Sequence, residues 1–146
     1  MKAPFEPTVC SCKIDRENCQ RQPGHLIPGQ LTEILERLGE SPADAGKWFW
    51  NSPGMVLSKA GRIFRLRTIT PRFAHGKCVF YENGLCRIHE IAPFGCRYFD
   101  AHMSANEGQR RAAWGAVQIF EQLESYSSER DRLPMATHYK PSGYSE

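Results

Sequence analysis

Six cysteines are the residues in this chain with the clearest potential for chemistry. They form two groups, Cys10, Cys12 and Cys19 near the start and Cys78, Cys86 and Cys96 further along. Neither group alone supplies the four thiolates of an ordinary zinc or iron–sulfur site. The sequence therefore predicts one metal or iron–sulfur centre that takes at least one ligand from each group. Such a centre ties two distant segments together and contributes free energy to folding.

Basic residues adjoin four of these cysteines in the sequence, and they are Lys13, Lys77, Arg87 and Arg97. A zinc ion or an oxidised four-iron cluster held by four thiolates is formally negative. Nearby cations offset that charge and favour the thiolate over the thiol. The charge pattern thus agrees with metal-bound cysteines.

Two other roles are open to the cysteines. A buried cysteine can pack as a small hydrophobic residue, and in an oxidising compartment the six could form disulfides. The N-terminal sequence lacks the apolar stretch of a secretory signal, which favours a reducing, cytoplasmic location. There, clustered cysteines bind metal or do redox work more often than they form disulfides.

The 146 residues suit one domain, and the net charge of +3 is too small to predict a nucleic-acid binder. No stretch approaches the roughly 18 apolar residues of a membrane span. We assign residues 1–132 to a metal-binding domain and the polar residues 133–146 to a flexible tail.

Helical signals flank the centre of the chain. Apolar residues spaced at three and four predict a helix over Gln30–Leu38 that ends at Gly39. Ser41 and Pro42 predict the start of a short helix carrying Trp48, Phe49 and Trp50. Three consecutive aromatic residues cannot all face one core from a helix, so we expect one of them to meet solvent or another chain.

Between these helical segments and the C-terminal part, two hairpins are predicted. The first joins residues 55–58 to 62–70 and buries Phe64 and Leu66. The second joins residues 78–81 to 85–88 through an Asn83-Gly84 turn. No internal repeat is evident in the sequence.

A long C-terminal helix completes the predicted fold. Ser104 and Glu107 form a capping box at the start of a helix over about residues 105–126. We expect its buried stripe to consist of apolar residues at helical spacing, which are Ala113, Ala116, Val117, Phe120 and Leu123. The fold class is a small α+β domain with short hairpins and helices around the cysteine-ligated centre.

Residues 78–99 have a more specific pattern. In order, it contains Cys78, Phe80, Asn83-Gly84, Cys86, Ile88, His89, Pro93, Cys96, Arg97 and Phe99. This segment resembles the second half of the YkgJ-type cysteine-cluster family, a zinc- or iron-chelating domain named for its CxxCxxCC motif. The N-terminal group departs from that motif, since Cys10, Cys12 and Cys19 include no adjacent pair. The resemblance implies binding of a metal or cluster, and some relatives are linked to protein lysine methylation.

Other chemistry is weakly indicated. His89 could be a ligand or could donate to a cluster sulfur, but the thiolates already suffice for four-coordination. Arg62, Arg65, Arg67 and Arg72 form either a basic patch or, more commonly, a solvated strand face. No catalytic triad, paired carboxylate motif or phosphate loop stands out.

The sequence therefore favours a metal-binding accessory protein over an enzyme. We expect an iron–sulfur cluster (4Fe-4S) or zinc, and a small accessory or electron-transfer subunit that acts with a protein partner or within a larger complex. The alternatives are a structural zinc module that mediates protein or nucleic-acid contacts, and part of a protein-modifying enzyme.

Overall fold

A computed structural model describes residues 3–8, 14, 17 and 23–136 of the chain. The helices are α1 (Gln30–Leu38), α2 (Phe94–Arg97), α3 (Ala105–Glu121) and α4 (Leu123–Asp131), with 3₁₀ turns at Pro42–Lys47 and His89–Ile91. The strands are β1 (Phe49–Lys59), β2 (Arg62–Pro71), β3 (Phe73–Ala74), β4 (Lys77–Cys78), β5 (Tyr81–Glu82) and β6 (Leu85–Cys86). They pair as three antiparallel hairpins. The predicted small α+β fold is confirmed at this level.

Helix α1 has the predicted bounds. Its apolar face, Leu31, Ile34 and Leu35, is buried in the core. Gly39 ends the helix at φ 71°, a left-handed conformation that costs glycine little.

The aromatic run after α1 does not lie on a helix, so that part of the prediction is wrong. Pro42 does sit at the start of a helical turn, but the turn is 3₁₀ and ends at Lys47. Phe49 and Trp50 open strand β1 and are both buried. Trp48 is partly buried and stacks on Phe80, with ring centroids 5.4 Å apart. The argument for an exposed aromatic therefore loses its basis, because the three residues do not share one helix.

Strands β1 and β2 form the long hairpin, with the predicted turn at Ala60-Gly61. Pairing is interrupted between Ser52 and Met55, where Gly54 has φ 81°. A side chain on Gly54 would overlap the Leu66 carbonyl, so only glycine fits this bulge. Leu66 is buried as expected, but Phe64 is 40% exposed. The buried face thus begins at Leu66, because the hairpin tip extends beyond the core.

The C-terminal helical region starts as predicted. Ser104 Oγ accepts from the Glu107 backbone N–H at 3.1 Å. Gln122, with φ −124°, separates α3 from α4, so two helices replace the single predicted one.

The predicted buried stripe of this region is wrong except at Ala116. Phe120 and Val117 are each 48% exposed, Leu123 is 40% exposed and Ala113 is exposed as well. The buried residues of α3 are Gly115, Ala116 and Ile119. A Cβ on Gly115 would lie 2.7 Å from the Phe94 ring. Beside Ile119, the helix therefore contacts the core through the small residues Gly115 and Ala116, and Gly115 lets Phe94 approach closely.

Tyr126 joins three segments at the centre of the core. Its hydroxyl donates to the Leu26 carbonyl at 2.7 Å and accepts from the Ile69 N–H at 2.9 Å. The Leu26 N–H in turn donates to the Ile69 carbonyl. Burial raises the pKa of this phenol above its usual range, so the group stays neutral.

We expect Tyr126→Phe to lower the free energy of unfolding by about 1–3 kcal/mol, because it leaves a buried N–H and a buried carbonyl without this partner. Urea denaturation of the two proteins measures the difference. A change below about 0.5 kcal/mol would show that the hydroxyl does not link these segments.

The first residues of the predicted tail lie against β1. Leu133 is buried, and the Asn51 N–H donates to the Pro134 carbonyl at 2.8 Å. The Ala136 N–H donates to the Asn51 carbonyl at 2.9 Å. Residues 137–146 of that tail lie outside the described residues. Within the described part of the chain, no helix has the length and apolar character needed to cross a membrane.

Candidate metal centre

Two short hairpins present Cys78 and Cys86 in the same way. Each cysteine is the last residue of a two-residue strand, β4 or β6, and follows a glycine by two positions. The first hairpin turns at His75-Gly76 and the second at Asn83-Gly84, with φ between 53° and 80° throughout. Positive φ at both central residues is the requirement of a type I′ turn.

The backbone hydrogen bonds of the two hairpins repeat with a period of eight residues. The Val79 N–H donates to the Arg72 carbonyl at 2.9 Å, and the Arg87 N–H donates to the Phe80 carbonyl at 2.8 Å. The structure thus contains a short tandem repeat, which corrects the expectation of none. The predicted Asn83-Gly84 turn is confirmed, but Cys78 belongs to the preceding hairpin. In the sequence, this repeat corresponds to the Gly-x-Cys spacing that the two hairpins share.

Cys96 lies in α2 and is contacted by Gly24, the last residue of a segment, residues 8–24, that we call the N-terminal arm. The Gly24 N–H donates to Cys96 Sγ at 3.0 Å, and the Gly95 N–H donates to the His25 carbonyl at 2.9 Å. A side chain on Gly24 would overlap the backbone of Gly95 and Cys96. The two segments therefore cross at glycines, because only bare backbone allows so close an approach.

The other end of the N-terminal arm, at Thr8, also contacts α2. The Thr8 N–H donates to the Arg97 carbonyl at 2.8 Å, and the Thr8 hydroxyl donates to it at 3.2 Å. Thr8 and Gly24 thus both contact residues of α2. The arm between them carries Cys10, Cys12 and Cys19, which lie outside the described residues.

Helix α3 holds the start of the arm in place. Phe5 packs edge-on against Trp114 and lies about 5 Å beneath the Arg111 guanidinium. Arg111 donates to the carbonyls of Glu6 and Tyr98 at 3.1 and 2.9 Å and pairs with Glu107 at 2.8 Å. Hydrogen bonds from Arg110 and Arg111 hold the pKa of Glu107 down, to about 2.

We expect Arg111→Met to loosen the arm and to lower the free energy of unfolding by about 1.5–3 kcal/mol, the usual range for charged hydrogen bonds. Arg110→Met is the matched control, because Arg110 also pairs with Glu107 and covers Phe5 but makes no contact with those carbonyls. Arg110→Met should lower the free energy of unfolding by less than about 1 kcal/mol. Hydrogen exchange at the Thr8 amide and urea denaturation distinguish the two variants. Equal exchange rates and equal losses of unfolding free energy in Arg111→Met and Arg110→Met would contradict the role of Arg111 in holding the arm.

The described part of the chain holds no group of three or more His, Cys, Asp and Glu side chains arranged to bind a metal ion. Cys78, Cys86 and Cys96 therefore do not make a metal site among themselves there. Cys78 is buried, while Cys86 and Cys96 are partly exposed. A four-coordinate centre that includes any of these cysteines therefore needs at least two ligands from outside the described residues.

The basic residues next to the cysteines in sequence differ in their exposure and contacts. Lys77 is exposed. Arg87 pairs with Glu82 at 3.4 Å and lies 5.9 Å above the Trp48 ring. The Arg97 guanidinium lies 5.7 Å above the Tyr98 ring. Lys13 lies outside the described residues.

Among the arginines of the predicted strand face, three donate hydrogen bonds to other residues, and one of them is Arg65, which donates to the Pro53 carbonyl at 3.3 Å. Arg67 donates to Asn51 Oδ1 at 2.8 Å, and Arg72 donates to the Gly46 carbonyl at 2.8 Å. Arg62 and Arg65 are exposed. These contacts favour a partly structural strand face over a continuous basic patch.

The histidines separate into exposed and buried positions. His75, His89 and His102 are exposed, and His138 lies outside the described residues. His25, which no sequence pattern singled out, has a buried Nε2 that makes no hydrogen bond. Burial lowers the pKa of His25 to about 4, so the imidazole is neutral at pH 7. The residue as a whole remains partly exposed.

No protein-family description, curated protein or solved structure was found to match this chain.

Proposed function

We propose that this protein binds an iron–sulfur cluster or zinc through its two cysteine groups. In this proposal, it is a small accessory or electron-transfer subunit of a protein partner. The observation that carries the proposal is the attachment of both ends of the N-terminal arm to α2, which holds Cys96. Thr8 and Gly24 lie 89 and 72 residues from their partners in sequence, so these contacts are not local.

Chain length limits how far the first cysteine can lie from this turn. Cys10 follows Thr8 by two residues, which span at most about 7 Å. Thr8 itself is fixed to the Arg97 carbonyl, next to Cys96. A ligand from the N-terminal group is therefore within reach of Cys96, the member of the second group that lies at this turn.

The hydrogen bond to sulfur also supports a thiolate at Cys96. A thiol is a weak acceptor, whereas a metal-bound thiolate carries negative charge that a backbone N–H stabilises. Hydrogen bonds of this kind orient ligands and tune the potential of cluster sulfurs. The Gly24 N–H would have this role toward a centre bound at Cys96.

Cys78 and Cys86 each follow a tight turn, as the ligands of a metal site on short hairpins would. Type I′ turns fix the backbone just before Cys78 and Cys86, so both thiols sit on short, rigid hairpins. All six candidate ligands are soft sulfur donors, a set that suits zinc and iron–sulfur clusters rather than magnesium or calcium.

Redox titration of anaerobically purified protein tests the electron-transfer role. A cluster with reversible one-electron reduction is the result we expect for an electron-transfer subunit. A protein that contains zinc and shows no redox activity would instead indicate a structural role for the centre and would contradict electron transfer.

A further inference from the structure

The end of the long hairpin projects beyond the core. The first four residues of β2, residues 62–65, are all exposed, whereas the last four, residues 68–71, are all buried. Successive side chains of a strand point to opposite faces, so four exposed residues in a row leave both faces of this end uncovered. We call residues 56–65, which include the turn between the two strands, the hairpin tip.

Apolar side chains are exposed on both faces of the hairpin tip. Val56 is paired with Arg65, two residues from Ile63, so Val56 and Ile63 share one face, and Phe64 lies on the other. Ile63 is 77% exposed, Val56 51% and Phe64 40%. Clustered exposure of apolar side chains is typical of an interaction surface, because water is a poor solvent for them.

The hairpin tip lies in a basic part of the chain. Residues 45–81, which include the whole hairpin, contain seven Lys and Arg and no Asp or Glu. This segment therefore has a formal charge of +7, compared with +3 for the whole chain. Arg62 is exposed at the start of β2, beside Ile63. The charge attracts an anionic partner to the tip.

A membrane surface that contains anionic lipids fits this combination. A protein surface covers one face of a ribbon, whereas a fluid layer of lipid headgroups can surround both. Val56 and Ile63 have neither hydrogen-bonding groups nor an aromatic ring, the features with which proteins recognise nucleic acids. Arginine can place its guanidinium on a phosphate while its stem stays among apolar groups.

From these observations we infer that the hairpin tip docks on the surface of an anionic phospholipid membrane. In the docked state, Val56, Ile63 and Phe64 enter the interface, and Arg62 contacts lipid phosphates. The hairpin tip contains no cysteine, so the inference does not depend on the proposed metal centre. Metal analysis and lipid binding test the two proposals separately.

Cosedimentation of the full-length protein with lipid vesicles tests this inference. We expect binding to phosphatidylcholine vesicles that contain about 30% phosphatidylserine, and binding at least about tenfold weaker to phosphatidylcholine alone. Binding to the anionic vesicles should also weaken when salt rises from about 0.1 M to about 0.5 M. Equal binding to both kinds of vesicle, or no binding to the anionic ones, would overturn the inference.

Ile63→Ser and Leu85→Ser form a matched pair of variants. Both residues are aliphatic, lie close to a hairpin turn and are highly exposed, at 77% and 73%. Leu85, however, is paired with Glu82, which anionic lipids repel. Ile63→Ser should weaken binding to the anionic vesicles about tenfold, and Leu85→Ser should leave it unchanged. Full binding by a folded Ile63→Ser protein would contradict docking through the tip.

Arg62→Gln separates the electrostatic contribution from the apolar one. It should weaken binding to the anionic vesicles about fivefold, and it should not change the weak binding to the neutral ones. Arg62 is exposed, so the variant should fold. Binding of poly(U) RNA without binding to either kind of vesicle would assign the hairpin tip to nucleic acid and would overturn the inference.

Discussion

A Cys96→Ser protein is expected to hold less than about a tenth of the wild-type metal and to lose its cooperative unfolding transition. Structural metal sites contribute about 10–16 kcal/mol of binding free energy, which matches or exceeds the roughly 5–15 kcal/mol of net stability of an ordinary domain. The substitution is close to isosteric, and the serine oxygen can still accept from the Gly24 N–H. It therefore removes the thiolate while leaving the packing and the hydrogen bond nearly intact.

Metal analysis and thermal denaturation of the same sample measure both parts of this result. Cys86→Ser should behave in the same way, since Cys86 occupies the repeated hairpin position. Ile119→Val is the control, because it removes one buried methylene from α3 and should cost about 1 kcal/mol without loss of metal. A Cys96→Ser protein with full metal content and unchanged melting would remove Cys96 from the ligand set.

Gly24→Ala is expected to have the second-largest effect. The added methyl would lie 2.6 Å from the Gly95 Cα and would overlap the neighbouring backbone, which cannot move as a flexible side chain can. We expect the free energy of unfolding to fall by at least about 3 kcal/mol, at the upper end of overpacking effects. The metal content should fall as well, because the methyl separates the N-terminal arm from Cys96.

Gly108→Ala is the matched control for this substitution. Gly108 lies within α3, and a Cβ there would meet no atom within 4 Å. The same change should therefore stabilise the protein by about 0.5–1 kcal/mol, because alanine is the better helix former. If Gly24→Ala proved as harmless as Gly108→Ala, the close crossing at Cys96 would not exist in solution.

Local signals in the sequence predicted the elements they control directly. The spacing of Leu31, Ile34 and Leu35 gave the bounds of α1, and Gly39 gave its end. Ser104 gave the start of α3 in the same way. These features depend on residues within one or two turns of each other, so an isolated segment contains the information.

Other parts of the fold depend on contacts that no local pattern records. Strands of two residues are too short for an alternating pattern, so the sequence does not predict the hairpin that ends at Cys78. The buried face of α3 differs from the predicted one because Gly115, not a large apolar residue, faces Phe94. Pro42 predicts a helical start, but it contains no signal for the strand that begins at Phe49, so the sequence does not show where the aromatic run lies.

The candidate centre also combines features that local sequence predicts with features that only tertiary contacts create. Residue types and spacing suggested that two cysteine groups share a site. The contacts of Thr8 and Gly24 with α2 join residues that lie 89 and 72 positions apart in sequence, and only the folded structure supplies them. The buried imidazole of His25 is likewise a product of tertiary packing.

Metal and acid-labile sulfide analysis of protein purified anaerobically without chelators tests the central claim most directly. The proposed centre predicts either about one zinc per chain without sulfide, or about four iron atoms with matching sulfide. Titration of thiols under native conditions should then find most of the six cysteines unreactive. A folded protein with only trace metal and six reactive thiols would contradict the claim.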